Sequence, residues 1–524
     1  MNKLEFKKKI VLDNNSQKYP SVIPLKMSIL TENASLLNYN LLQCLLLLFN
    51  IIFLPYSACI TISVLLLNKI GFLKAPRRIL ENKTPRVLVS GVGMSKGLFV
   101  ARTMYLGGCD VYGIDFDNKN RNLYFGRFST SIKRYISVPD PITEGVDEFI
   151  SQVIEIIKNE NIDLWVSCTR VATPIDDAKL ADAIRKQTNC KSFQFNEEVT
   201  STLDNKITFM RKTLELGVSR ALWHSLSSYH DINNLLHKIK GSTVSGQAVR
   251  FLIKSANLDD STRNLLPLVS SDNLRDAENV LKSLDFSQNH EWVLQEFIES
   301  QEEYCTNALI INGQVRAFTA SRGKSVQMHY QPLNPNSILY ENMMQFTQKY
   351  ASALGDITGH MSFDFLVSYQ KTRDGFEGKL VPIECNPRCH TVTILFHGKE
   401  VELADRYLES LYGKQNTPIL ETKHRVHVGH YWIAHDLVTL GALPILRLIS
   451  GLASYSWTDE IQRILQLLEH IVTWKDQTFL WWDPLPWFVM NHLFWPLELY
   501  RLYIENIKWR MINVTTGKIF RKLN

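Results

Sequence analysis

What the 524-residue chain lacks narrows its reading first. Its eight cysteines, at 44, 59, 109, 168, 190, 305, 385 and 389, contain no C-x-x-C pair. They suggest neither a disulfide framework nor a zinc site, and a reducing cytosol is the natural compartment. There is no internal repeat and no low-complexity tract, so no solenoid is expected. The net charge of +6 is mild for this length, and no basic stripe is interleaved with stacking aromatics; no nucleic-acid partner is expected. Charge is absent altogether from Asn33 to Asn68. The rest is ordinary: 45% apolar and 21% charged residues, enough for two or three domains with sizeable cores.

The uncharged stretch holds "LLQCLLLLFNIIFLPYSACITISVLLL". It starts too far in and runs too long for a secretory h-region. About 20 apolar residues cross a bilayer, so one crossing fits by length. Cations stand on both sides, however: Lys7, Lys8, Lys9, Lys18 and Lys26 before, Lys69, Lys74, Arg77 and Arg78 after. With Pro55 near the middle, the pattern predicts a re-entrant or interfacial hairpin that touches a membrane surface. A buried helical pair is the alternative.

After this tail (1–84), residues 85–200 read as a parallel α/β domain. "RVLVS" (Arg86–Ser90) is a buried strand, "GVGMSKG" its exit loop, "LFVARTMYLGG" a helix, "DVYGIDFD" a second strand and "IDLWVSC" a third. Gly91, Gly93 and Gly97 form G-x-G-x-x-x-G, one residue longer than the dinucleotide fingerprint, and no GK[ST] closes a P-loop. Glycines for a tight strand-to-helix turn explain the loop as well as a ligand does, with Asp115 at the end of the second strand. Residues 201–410 read as α+β. "LDNKITFMRKTLELGV" is an amphipathic helix, "AVRFLIKSA" and "EWVLQEFIES" are strands, and Asn312-Gly313 signals a type I′ turn. "MSFDFLVSYQKTRDGFEGKLVPIECNPR" is a second hairpin with its turn near Asp374-Gly375. Residues 411–524 form a helical extension with four of the eleven tryptophans between 479 and 495, suited to a membrane interface or to docking on the body.

The chemistry concentrates in the second hairpin. Alternation on a strand sends Glu384 and Asn386 to one face, and the neighbouring strand supplies Asp364. Two carboxylates and an amide oxygen are hard ligands that suit Mg²⁺. Arg388, beyond Pro387, can grip a phosphoryl group. Lys254 at a strand end can neutralise phosphate. Lys206 starts a helix, where a cation favours an anionic partner. "LQEFIE" reads as a hinge whose Gln295, Glu296, Phe297 and Ile298 meet an adenine edge, with Glu303 on the ribose.

The order "LDNKITF", "FLIKS", "VLQEFIES-QEEYC", "GHMSFDFLV", "PIECNPR" resembles the ATP-grasp superfamily over about residues 85–410. "CTRVATPIDDAKLADA", "FQFNEEVTSTLDNKITF", "IECNPRCHT" and "DPLPWFVMNHLFWPLELY" are similar to the mycosporine-glycine synthase group within it. The resemblance implies an ATP-grasp fold behind a parallel-sheet domain, with ATP and Mg²⁺ (or Mn²⁺) as cofactors and a catalytic region facing the cytoplasm. It also implies a ligase joining an amino acid, usually glycine, to 4-deoxygadusol, an enolised cyclohexenone. Asp364, Glu384 and Asn386 would hold the metal. Lys206, Lys254, Gln295, Glu296, Phe297, Ile298 and Glu303 would bind ATP, and Arg388 and Lys254 would act on the transferring group. The chain departs from the pattern in one loop, "SANLDDSTRNLLPL", which has no glycine; Arg263 is the candidate substitute there. His390 is a weaker candidate for deprotonating the amine, against a packed histidine.

Three other readings stay open. A carboxylate–amine ligase runs the same steps on a true carboxylate. A dinucleotide-dependent oxidoreductase would use "GVGMSKG" and Asp115. A membrane-bound ATP-sensing scaffold would bind without turnover.

Overall fold

A computed structural model describes residues 36–81, 83–116, 123–168, 173–218, 222–244, 247–256, 268–286, 291–298, 302–323, 329–372, 375–413, 417–423, 428–442, 444–445, 456–507, 509–513 and 518–521. Arg263 and the turn residues Arg373 and Asp374 lie outside them.

The first sheet is parallel and doubly flanked. Strands β1 (Arg86–Ser90), β2 (Asp110–Phe116), β3 (Arg134–Val138), β4 (Leu164–Val166) and β5 (Lys191–Phe193) lie in the order β3-β2-β1-β4-β5. Central β1 is apolar through Val87, Leu88 and Val89 because both faces are covered. Helix α1 (Ser95–Leu106) follows it and is buried on nearly every side. Gly107 ends that helix where a Cβ would stand 2.4 Å from Ala404 Cβ, so glycine permits the close approach.

The next two sheets are mainly antiparallel. A three-stranded sheet has β7 (Trp292–Glu296) at its centre, between Trp223–Leu226 and β6 (Phe251–Ser255), with Leu274–Lys282 helical between β6 and β7 in sequence. A larger sheet places the hairpin Gly359–Thr372 and Gly375–Asn386 next to Glu302–Ile311 and Gln314–Arg322, with Leu420–Glu421 added in parallel at the edge. Asn312 (φ 50°) and Gly313 (φ 70°) both take the left-handed conformation that a type I′ turn requires. This parallel α/β sheet followed by antiparallel α+β sheets is the architecture expected from the sequence. Val87, Phe99 and Met104 of the parallel region share one core with Val392, Phe396 and Tyr407 beyond the hairpin. That shared core fixes the segment carrying Arg388 against the first sheet.

Two expectations need correction. The helix expected over residues 203–218 begins only at Lys206 and ends at Glu215, and Leu203 and Asp204 belong to a separate helix, Glu197–Asp204. Asn205 caps the second, accepting from Ile207 N–H at 2.9 Å and Thr208 N–H at 3.1 Å. The uncharged stretch is not a hairpin. Leu36–Lys69 is a single helix with Pro55 inside it. One proline removes one hydrogen bond and costs roughly 3 kcal/mol. A run this long of good helix formers tolerates that loss.

The aromatic extension docks on the body. Trp495, Phe494 and Val489 pack with Leu98, Tyr124 and Phe125. Trp481 remains exposed.

Candidate functional site

The long hairpin sets the first pair of acids. Asp364 stands directly opposite Glu384 in the antiparallel register, and Ser362 opposite Asn386. The register slips just beyond Asp364, because Phe365 pairs with Pro382 and Ile383 is left over. Such a bulge re-aims neighbouring side chains and is common beside functional sites. Cross-strand partners bring like charges together, a destabilising arrangement without a cation. Burial, then the facing Glu384, then Glu303 hold the Asp364 carboxyl well above the usual range, against the pull of Arg388. Glu303 reaches this group from the adjacent strand, where Cys305 is the partner of Asp364. Asn386, itself buried, donates from Nδ2 to Asp364 Oδ2 at 3.1 Å. A half-turn of that amide presents its oxygen instead.

Arg388 follows immediately, its N–H bonded to the Asn386 carbonyl at 2.8 Å. Its Nη1 is buried without a hydrogen-bond partner, as is Oδ1 of Asp204, and the two atoms are 3.9 Å apart. Burial raises the Asp204 carboxyl despite Arg388 and Lys206 nearby. Asp204 was not singled out in the sequence. Its signal was its place immediately before the Asn205 cap, as the last residue of the helix Glu197–Asp204.

The three-stranded sheet meets this group through Gln295. Buried Gln295 accepts from Lys254 Nζ at 2.9 Å and approaches the carbonyl of the bulged Ile383 at 3.5 Å. Lys206 opens its helix with its N–H bonded to Ala256 O at 3.0 Å, at the end of β6. So Lys206, Lys254, Gln295, Asp364, Glu384, Asn386 and Arg388 form one connected group. Glu296 is turned elsewhere: its carboxylate accepts from Leu222 N–H at 2.8 Å. Phe297 is partly exposed beneath the Arg250 guanidinium, 5.1 Å from the ring centroid, and Ile298 is half-buried.

Lys96, also missed in the sequence, sits where the first sheet meets the hairpin exit. It is buried and donates to Cys389 O at 2.9 Å, and burial lowers its ammonium to about 8. His390 is packed. Its Nδ1 accepts from Val392 N–H at 3.1 Å, and burial, with Arg388 and Lys96, lowers the ring to about 3. With Nδ1 engaged and burial lowering the basicity of the ring, it sits as a packed histidine and a poor base for the amine.

The glycine loop is filled rather than open. A Cβ on Gly91 would lie 2.4 Å from Cys168 O, and one on Gly93 2.4 Å from the Tyr124 ring. Gly93 N–H is already bonded to Asp115 Oδ2 at 2.7 Å. Here the glycines serve the turn and its packing.

No family model matches the chain, and no curated protein matches it. Among solved structures it is similar to N5-carboxyaminoimidazole synthetase from Staphylococcus aureus, crystallised with ADP. That match has 12% identity and a TM-score of 0.45, covering 66% of this chain and 81% of that one. The biotin carboxylase domain of the 2-oxoglutarate carboxylase of Hydrogenobacter thermophilus gives 12% identity and a TM-score of 0.45, over 65% and 72%. An L-amino acid ligase from Bacillus licheniformis gives 17% identity and a TM-score of 0.39, over 59% and 69%.

Proposed function

We propose that the chain is an ATP-grasp, ATP-dependent ligase forming a C–N bond. Its acceptor is an enolised cyclohexenone of the 4-deoxygadusol type, and its donor an amino acid, with glycine first in line. One observation carries the reading: a buried guanidinium nitrogen of Arg388 that makes no hydrogen bond, held 3.9 Å from Asp204, beside two facing carboxylates. Buried polar atoms are normally satisfied within the fold, so an anion and a cation are the natural complements.

The donor set fits the metal. Asp364, Glu384 and Asn386 would hold Mg²⁺, which when bound shields the phosphate charges. Arg388 then grips the transferring group through Nη1. Lys254 and Lys206 add positive charge from the other sheet, with Gln295 setting the Lys254 ammonium. Gln295, Glu296, Phe297 and Ile298 form the strand end proposed for the adenine, Glu303 is proposed for the ribose, and Arg263 for the phosphate-covering loop.

An enolised 1,3-diketone is a vinylogous carboxylic acid. Its oxygen takes the γ-phosphoryl group and ADP leaves. The amine then adds, and phosphate departs with the oxygen. Positioning and fixed charge do most of this work. The second reading, a carboxylate–amine ligase acting through an acyl phosphate, uses the same residues on another acceptor.

The test is ADP release by the full chain with Mg²⁺, 4-deoxygadusol and each amino acid in turn. Release that needs the cyclohexenone and one amino acid supports the first reading. Release only with a carboxylic acid and an amine moves the assignment to the second. Failure to bind ATP overturns both.

We also propose that the long apolar helix meets a membrane, lying along the protein and not crossing. By length and composition Leu46–Lys69 suffices to cross. Yet Asn50 Nδ2 bonds Asn491 O at 2.6 Å and Asn68 Nδ2 bonds Trp481 O at 3.1 Å. Those anchors lie about 27 Å apart at ~1.5 Å per residue, so the helix is fastened lengthwise to the extension. Ile51, Ile62 and Leu66 face outward, as do Leu497 and Ile504 of the neighbouring helix Trp495–Ile504. Co-flotation with lipid vesicles, lost in Ile62→Lys/Leu66→Lys, supports contact; flotation unchanged by those substitutions overturns it.

A further inference from the structure

Away from the proposed ligase site, and independent of that reading, three histidines converge on one buried carboxylate. His329 Nε2 lies 2.8 Å from Asp436 Oδ1, and His435 Nδ1 lies 2.9 Å from the same oxygen. His470 Nδ1 lies 2.5 Å from Asp436 Oδ2. Asp436 is 1% exposed and His470 4%. The ligand atoms of His329, Asp436 and His470 all fall within 4.8 Å of one another. The residues come from three places: the segment after Gln314–Arg322, the short helix Ile433–Asp436 and the helix Trp457–Thr473.

Elsewhere the protein fastens its extension and its edges with arginine. Arg102 holds Asp483 at 2.8 Å, and Arg316 holds Glu409 through two bonds of 2.6 and 3.0 Å. A fully buried carboxylate needs a compensating charge as well as hydrogen bonds. At Asp436 the groups in contact are imidazoles, with no lysine or arginine ion pair among the described residues. His329 and His470 each bring a ring nitrogen to the same point as the carboxylate, which is the donor arrangement of a metal-ligand set.

We propose that His329, Asp436 and His470 form a structural zinc-class metal site joining the C-terminal helices to the body, with His435 hydrogen-bonded to the same carboxylate. Two imidazole nitrogens and one carboxylate oxygen match zinc and its neighbours in preference to magnesium, which takes oxygen. The setting is that of a closed site: Trp474 stacks on His470 with centroids 4.1 Å apart, and Tyr431 packs edge-on against the same ring. Next to His329, the backbone of Tyr330 pairs with that of His430 through bonds of 3.0 and 2.8 Å, so the site sits on the seam itself. Coordination exchanges the imidazole–carboxylate hydrogen bonds for metal–ligand bonds, each imidazole keeping one proton on its outer nitrogen. No cysteine and no short histidine spacing announces it in the sequence.

The test is elemental analysis of tag-free full chain dialysed against micromolar zinc. One zinc-class ion per chain is expected, kept in Glu384→Ala and lost in His329→Gln/His470→Gln. If that double variant does not fold, wild-type protein expressed with cobalt decides. A four-coordinate nitrogen-rich site colours strongly, whereas an oxygen-rich six-coordinate one does not. Folded wild type holding fewer than about one ion in ten chains, metal retained in the double variant, or the absence of strong cobalt bands would each overturn the site.

Discussion

Two buried groups of charge in this protein are built in opposite ways. At Arg102 the guanidinium meets Asp483 twice, through Oδ2 at 2.8 Å and the backbone oxygen at 2.8 Å. Ser129 Oγ and Thr130 N–H complete the carboxylate at 2.6 and 2.8 Å. At Arg388 the guanidinium stops 3.9 Å from Asp204, with Nη1 unpartnered, while Asp364 and Glu384 face each other across the hairpin. The first group is closed by the protein and needs nothing more. The second has two buried acids opposed and a cation held back from its acid, which costs stability unless something else enters. Structure is made where charge is satisfied, and ligand chemistry is expected where it is left open.

The comparison breaks if the two groups respond alike to mutation. Glu384→Ala should lower ADP release by about 10²- to 10³-fold while leaving Tm unchanged or higher, since it relieves a like-charge contact. Arg102→Ala should do the reverse. Removing one partner of a buried pair costs roughly 3–5 kcal/mol, so thermal unfolding should fall sharply while turnover per folded molecule is kept. If Glu384→Ala lost stability and kept turnover, the open group would be structural after all.

How much of this stood in the sequence depends on the range of the contact. The strand Arg86–Ser90, the Asn312-Gly313 turn and the facing of Asp364 with Glu384 follow from local periodicity and one hairpin. The Ile383 bulge was not legible, because slippage depends on how both strands pack. Lys96 and Cys389, 293 positions apart, meet only because two sheets share a core. The single helix Leu36–Lys69 was hidden by weighting Pro55 above the residues around it. The histidine cluster had no spacing to read.

Lys96 sharpens the comparison as a charge buried at a cost. Its folded value of about 8 lies below the ordinary 10.5, so between those values the unfolded chain binds more protons than the folded one. Stability attributable to this group therefore rises from pH 8 to about 10.5, and the full penalty applies below pH 8. The penalty is about 3 kcal/mol by the same linkage, before the bond to Cys389 O is counted. Lys96→Met should flatten denaturant-measured stability across that window and raise it at pH 7. A variant with an unchanged pH slope would exclude a lowered lysine.

The smallest expected effect has a diagnostic sign. Asn205 divides two helices and holds the second through two N–H bonds, which puts Lys206 and Asp204 at the edge of the open group. As a cap, its replacement in Asn205→Ala should cost about 1 kcal/mol. Inside a continuous helix the same substitution would instead stabilise by a few tenths of a kcal/mol, alanine being the better interior residue. Chemical denaturation reads the sign directly. A destabilised variant should also bind ATP more weakly, because the cap orients the Lys206 end of its helix toward the group that includes Arg388. A destabilised variant with unchanged ATP affinity would separate the cap from the site and leave Arg388 and the facing carboxylates to define it alone.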